Sequence, residues 1–219
     1  MRAALADLAA LEAFLVDRLR RPLPGADAHR RFAPVPAREG WRPDATPSHA
    51  RRAAALFLIY PGTRGPTLAL TVRHRDLPNH PGQISLPGGQ VDAAESGVQA
   101  ALREAHEEIG VEPANVRVLG ALSTLWVIVS NFVVEPFVGV TDPRPAFHLS
   151  AREVEALVEL PLQELHDVTR IGWERRTRDG FTVDYPFFDL AGHQVWGATA
   201  MMLGEFGALF DPDFAPSLK

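Results

Sequence analysis

The 219-residue chain contains no cysteine and a single lysine, Lys219. Without a thiol there can be no disulfide scaffold, thiolate nucleophile, zinc-thiolate site or iron-sulfur cluster. Long hydrophobic runs are missing as well. The longest uncharged apolar stretch, Ala53 to Tyr60, has eight residues, far short of the ~18 needed to cross a bilayer, so no membrane partner is expected. There is no concentrated positive face either: 22 Lys and Arg stand against 27 Asp and Glu, a net charge of −5, which argues against a nucleic-acid partner. The apolar N-terminal stretch is interrupted by Asp7, Glu12 and Asp17, which the core of a secretory signal would not tolerate. A soluble cytoplasmic protein is expected.

What remains is the composition of a globular chain, 46% hydrophobic and 22% charged, with enough apolar surface to offset the entropy lost on ordering. The length suits one domain with an appendage. Leu5, Leu8, Leu11, Leu15 and Leu19 keep helical spacing within residues 4–20. The stretch from Arg21 to Pro47 holds Pro22, Pro24, Pro34, Pro36, Pro43 and Pro47, so it is expected to lack regular structure and to cross the surface as an arm. The first 52 residues carry ten Arg and six acids, +4, leaving −9 for the rest. That asymmetry suits a basic arm lying on an acidic body, and equally a solvated one. We therefore expect residues 1–51 to form an N-terminal helix and Pro-rich arm, and residues 52–219 to form the main domain.

In that domain Ala53 to Tyr60 reads as a buried strand ending in the turn Pro61-Gly62, with Thr67 to Val72 as its hairpin partner. Ala93 to Ile109 reads as a helix capped by Gly110. Strands are expected at Val116 to Leu122, Phe132 to Val140, Val154 to Glu159, Thr169 to Trp173 and Thr182 to Phe187, and a closing helix at Trp196 to Phe210. Strands mixed irregularly with two core helices, without regular alternation, predict an α/β fold with a mixed sheet between helices. Phe187, Phe188 and Trp196 are read as core residues or as contacts of a homodimer.

The chemistry concentrates in the first core helix. Glu104, Glu107 and Glu108 lie three and four residues apart, which projects their carboxylates to one side. Like charges at this spacing weaken a helix by roughly 0.2–0.5 kcal/mol per pair, so a compensating cation is expected. With no cysteine and no histidine at i+4, a hard divalent ion, Mg²⁺ or Mn²⁺, is the natural candidate. Three glutamates alone would equally suit a solvated acidic face.

The wider frame decides between these. Gly89 is followed after five residues by Glu95, and after seven more by Arg103-Glu104-Ala105-His106-Glu107-Glu108-Ile109-Gly110-Val111. This resembles the Nudix box, G-x5-E-x7-R-E-U-x-E-E-x-G-U, with Ala105 at the first aliphatic position. All seven literal positions match, for which chance across the chain offers about one in a million. The resemblance implies a Nudix-type α/β/α sandwich that binds divalent metal and hydrolyses a nucleoside diphosphate linked to another moiety. It makes Glu104 and Glu108 the leading metal ligands and Glu107 a ligand or the base, with Glu153 or Glu155 as other candidates for the base. It also makes Glu95 an outer partner of the metal or of Arg103, and Arg103 a supporting residue. The pair Gly88-Gly89 allows a sharp turn or a close backbone approach to phosphate.

Ahead of the box run Leu68-Ala69-Leu70-Thr71-Val72-Arg73, then Leu77, His80, Gly82-Gln83-Ile84 and Leu86-Pro87-Gly88-Gly89. This is similar to the signature of the coenzyme A pyrophosphatase branch of Nudix enzymes. Ala69, His74 and Leu86 depart from it. The resemblance implies cleavage of coenzyme A to 3′-phospho-AMP and 4′-phosphopantetheine. Because coenzyme A carries a diphosphate and a separate 3′-phosphate, basic and polar groups must stand near the acidic site. Arg73, His80 and Gln83 are the candidates, with Gly88 and Gly89 as backbone contacts. Other ADP-linked diphosphates and nucleoside triphosphates are the alternative substrates. A non-catalytic effector-binding module is disfavoured, because Glu95, Glu104, Glu107 and Glu108 are all present.

Overall fold

The computed structural model describes residue 5, residues 7–178 and residues 181–217. Helix α1 spans Leu8–Arg18, started by the Asp7 side chain, which accepts the Ala10 N–H at 2.9 Å. A second helix, α2 (Gly25–Arg31), falls inside the stretch expected to be irregular. The reason is where the prolines stand: Pro24 occupies the N-cap, where a missing N–H costs nothing, and Pro34 comes after the helix has ended. Buried Ala28 and His29 hold the seven-residue helix against the body.

Strand β1 (Arg51–Gly62) pairs antiparallel with β2 (Gly65–Arg73) as the expected hairpin. Two short strands follow, β3 (Ile84–Ser85) and β4 (Gly88–Gln90), neither visible in the sequence pattern. Helix α3 spans Gly97–Ile109 and ends at Gly110 in the left-handed conformation, φ 74°. It begins four residues later than expected, because Ser96 and Gln99 form a reciprocal capping box there. Next come β5 (Arg117–Ala121), β6 (Leu125–Val127), β7 (Phe132–Val140), β8 (Val154–Pro161) and the short α4 (Leu162–Leu165). The chain closes with β9 (Ile171–Arg178), β10 (Phe181–Leu190), β11 (His193–Trp196) and α5 (Gly197–Ala208). The closing helix thus starts after Trp196, which is the last residue of β11.

The large sheet runs β3-β2-β1-β7-β5, with β4 on β1, β6 on β7 and β8 on β2. Among the described residues only β1 and β7 are parallel neighbours, so the sheet is mixed. β9, β10 and β11 form a separate antiparallel sheet. Strand β1 is apolar without alternation because both of its faces are covered. Ala55, Phe57 and Ile59 join a cluster with Leu11, Leu15, Phe32, Leu203 and Phe206. Ala54, Leu56, Leu58 and Tyr60 join another with Ala101, Ala105 and Ile109 of α3. The sheet is thus sandwiched, with α3 on one face and α1, α2 and α5 on the other, as the expected α/β/α arrangement requires. Residues from the N-terminal stretch share the core of the main domain: the Phe32 ring stacks on Phe188 at 4.9 Å, and Trp41 Nε1 donates to the Trp126 carbonyl at 2.9 Å. Phe188 is fully buried, whereas Phe187 and Trp196 are half-buried.

Candidate active site

Two glycines shape the floor. Strand β4 lies so close to β1 that a methyl group on Gly88 would overlap the Ala54 carbonyl oxygen. A methyl group on Gly89 would occupy the place of the Glu104 carboxylate. Gly88 also donates its N–H to Glu108 Oε2 at 3.1 Å. The two glycines therefore lie in a strand: Gly88 lets β4 approach β1, and Gly89 makes room for the Glu104 carboxylate.

Those acids do not all point the same way. One oxygen each of Glu104, Glu108 and Glu153 lie within 4.8 Å of one another. Glu107 stays outside this group: it is 51% exposed at its side chain and accepts from Arg103 Nη1 at 2.9 Å. Arg103 also donates to Glu95 at 2.7 and 3.1 Å, to Glu104 at 3.0 Å and to the Gln90 carbonyl at 3.1 Å. The guanidinium is thus the hub expected of a supporting residue, and Glu95 faces it rather than the three-carboxylate group. Glu95 can do so because it precedes α3, in a turn where its side chain also accepts the Asp92 N–H at 2.9 Å. The hydrogen bonds from Arg103 hold the Glu95 carboxyl below its ordinary range.

Glu108 is buried, 4% exposed. Burial first, and then the neighbouring Glu104 and Glu153 charges, push its pKa up to about 8, against the opposing Gly88 hydrogen bond and the charge of Arg73. Burial likewise raises Glu104, with Arg103 opposing. Three oxygens of this kind, partly desolvated and mutually repelling, form a donor set that fits a hard divalent cation.

Glu153 reaches the group from 45 residues beyond Glu108, at the end of the β7–β8 connection. That connection also completes the end of α3: the His148 and Ser150 N–H groups donate to the carbonyls of Ile109 and Glu108 at 3.0 and 2.9 Å. Helical spacing could not bring Glu153 to this group; the sequence offered it only as a candidate for the base, just ahead of the expected strand at Val154.

The substrate candidates gather beside it. Arg73 ends β2 opposite Val154 of β8, and its charge acts on Glu108. Its Nε is buried without a hydrogen-bond partner. The loop that follows folds back on Arg73: the Arg73 N–H donates to the Gln83 carbonyl and the Gly82 N–H to the Arg73 carbonyl, both at 3.0 Å. Within it, His80 Nδ1 and Gln83 Oε1 lie 3.0 Å apart. Arg73, His80 and Gln83 therefore share one end of the sheet with the acids. Arg75, by contrast, is engaged by Glu155 at 2.9 and 3.0 Å.

The model of the NUDIX domain family matches residues 49–178, which span both glycines, the whole of α3 and Glu153. The chain belongs to the Nudix family. A protein of Pectobacterium atrosepticum described as an uncharacterized Nudix hydrolase, NudL, is 43% identical over 129 residues, covering 58% of this chain and 67% of the relative. The NudL of an Enterobacter species is 36% identical over 159 residues, covering 71% and 81%. Among solved structures, the Nudix hydrolase RenU of M. smegmatis matches with a TM-score of 0.53 at 19% identity, covering 78% of this chain and 90% of RenU, a likeness of fold. No helix among the described residues is long and apolar enough to cross a membrane.

Proposed function

We propose that this Nudix hydrolase cleaves the diphosphate of coenzyme A and its derivatives, with Mg²⁺ or Mn²⁺ held by Glu104, Glu108 and Glu153. The observation that carries the reading is the convergence of those three carboxylates around buried Glu108, with Arg73 beside them. In such a site the ion neutralises diphosphate charge and lowers the pKa of the attacking water. The chain supplies the rest. Arg103 holds Glu104 in place and pairs with Glu107 on the exposed side of the helix. Gly89 leaves room for the Glu104 carboxylate, and the Gly88 N–H holds Glu108. Arg73, His80 and Gln83 bind the adenosine side, with the Arg73 guanidinium as the cation for the 3′-phosphate.

The test is to incubate the protein with coenzyme A and Mg²⁺ or Mn²⁺ and identify the products. The expected products are 3′-phospho-AMP and 4′-phosphopantetheine, with none formed in excess chelator. Dephospho-coenzyme A should show a kcat/KM lower by about 10- to 150-fold, the worth of a charge-assisted contact of about 1.5–3 kcal/mol, and Arg73→Ala should narrow that gap. Equal kcat/KM for the two substrates would instead indicate a hydrolase of ADP-linked diphosphates in general.

A further inference from the structure

Residues 141–153 join β7 to β8. Strand β7 is parallel to β1, and β8 is antiparallel to β2, which is itself antiparallel to β1. The two joined strands therefore run in the same direction, and the connection must return along the sheet. Such returns are usually helical; here thirteen residues make it without a helix, over the face that carries α3.

Backbone bonds mark its course at both ends. The Thr141 N–H donates to the Ile59 carbonyl at 3.0 Å, His148 and Ser150 bond the end of α3, and the Glu153 carbonyl accepts the His74 N–H at 2.8 Å. Between the Thr141 and His148 bonds the segment is tied by a knot of side chains. Arg144 donates to both oxygens of Glu159 at 2.6 and 3.0 Å. Its guanidinium carbon lies 5.0 Å from the ring of Phe147, which packs 5.2 Å from the ring of Tyr60. The Tyr60 hydroxyl in turn donates to Glu159 at 3.2 Å. Among the described residues no ion pair or hydrogen bond holds the carboxylate of Glu153 itself, so its place is set through its backbone alone.

We infer that Arg144 is a positioning residue for the metal site: by tying the β7–β8 connection to Glu159, Phe147 and Tyr60, it holds Glu153 within reach of Glu104 and Glu108. The inference rests on the reading of Glu153 as a metal ligand. A planar, bidentate fork with an aromatic contact suits the task, because it fixes orientation as well as distance.

The test is Mn²⁺ binding to the full chain, followed by the electron paramagnetic resonance signal of free Mn²⁺, with melting curves of the metal-free proteins as a control on folding. Arg144→Ala should weaken Mn²⁺ binding about 10-fold, as removal of a residue that orients a ligand does. Arg144→Lys, which keeps the charge and loses the fork, should fall between it and the wild type, and serves as the variant of record if the alanine form does not fold. Arg117→Ala removes an equally exposed bidentate partner, that of Glu12, and should bind Mn²⁺ as the wild type does. Because Arg144 acts through Glu153, the double variant Arg144→Ala/Glu153→Gln should bind no more weakly than Glu153→Gln alone. Wild-type binding by folded Arg144→Ala, equal weakening by Arg117→Ala, or additive losses in the double variant would each overturn the inference. Unchanged binding by Glu153→Gln would overturn the ligand reading beneath it.

Discussion

Glu108 and Glu205 are both buried carboxylates, one on each side of the sheet, and they are provided for in opposite ways. Glu205, on α5, is fully buried and accepts from the Gly25 N–H at 3.1 Å, from the Ser123 N–H at 3.1 and 3.2 Å, and from His29 Nε2 at 2.9 Å. Glu108, on α3, accepts one bond, from Gly88, and faces two other carboxylates. A buried carboxylate surrounded by donors holds parts of a fold together, whereas one short of donors and crowded by its own kind keeps its proton to higher pH, until a cation takes the proton's place. The first ties α2 and the strand connection at Ser123 to α5, so its business is architecture. The second has, among the described residues, one hydrogen-bond partner, a glycine amide, with the charge of Arg73 nearby, so its business lies outside the chain.

The largest expected effect tests the satisfied side. Glu205→Ala should destabilise the protein by about 3–5 kcal/mol, because it leaves His29 and two backbone N–H groups without an acceptor inside the core. Urea denaturation measures it, and a loss below about 1 kcal/mol would mean that Glu205 is no more structural than Glu108.

The next tests the starved side in two ways at once. Glu108→Gln should lower kcat by roughly 10²-fold or more, yet leave the metal-free protein at least as stable as the wild type near pH 8. The sign follows from the raised pKa. Between the ordinary carboxylate value of 4.5 and about 8, the folded state holds a proton on Glu108 that the unfolded chain releases. Stability from this group is therefore fully present below pH 4.5 and is lost as pH rises through about 8, on the order of a few kcal/mol in all. Denaturation midpoints in chelator from pH 5 to 8.5 should show this slope in the wild type and a shallower one in Glu108→Gln. Equal slopes would contradict the contrast with Glu205.

The smallest effect concerns Arg103. Since it orients Glu104, Glu107 and Glu95 without joining the three-carboxylate group, Arg103→Ala should cost about 10-fold in kcat, less than either Glu104→Gln or Glu108→Gln. A loss greater than theirs in a folded variant would place its guanidinium on the substrate instead.

What could be read from the sequence follows the reach of the interactions involved. Strand β1 is legible because burial on both faces writes a continuous apolar run, and α3 because its capping glycine and apolar face are local. Nothing local announces Glu205 and His29, 176 residues apart, and Glu153, which arrives by a crossover, is offered by the sequence as a candidate base but not as a partner of Glu104 and Glu108. Glu107 shows the limit within one helix. At about 100° per residue, positions 104 and 108 are about 40° apart around the axis, while 107 lies about 100° from 108. The i, i+3, i+4 rule treats all three as one face, whereas the site is narrow enough to take two of them. Helix α2 is hidden within a Pro-rich stretch, yet each of those prolines stands outside the seven residues that coil.

The way the β7–β8 connection ends α3 bears on the electrostatics of the whole site. The aligned peptide dipoles of a helix leave about half a negative charge at its C-terminal end, and Glu108 is the penultimate residue of α3. The field of the backbone therefore has the same sign as the acids it carries, and a cation entering the site is attracted by peptide groups as well as by side chains. The amides of His148 and Ser150, bonded to the last carbonyls of α3, counter part of that field. The crossover thus acts as a dielectric lining for the end of a helix that would otherwise rely on water to tolerate its own polarity.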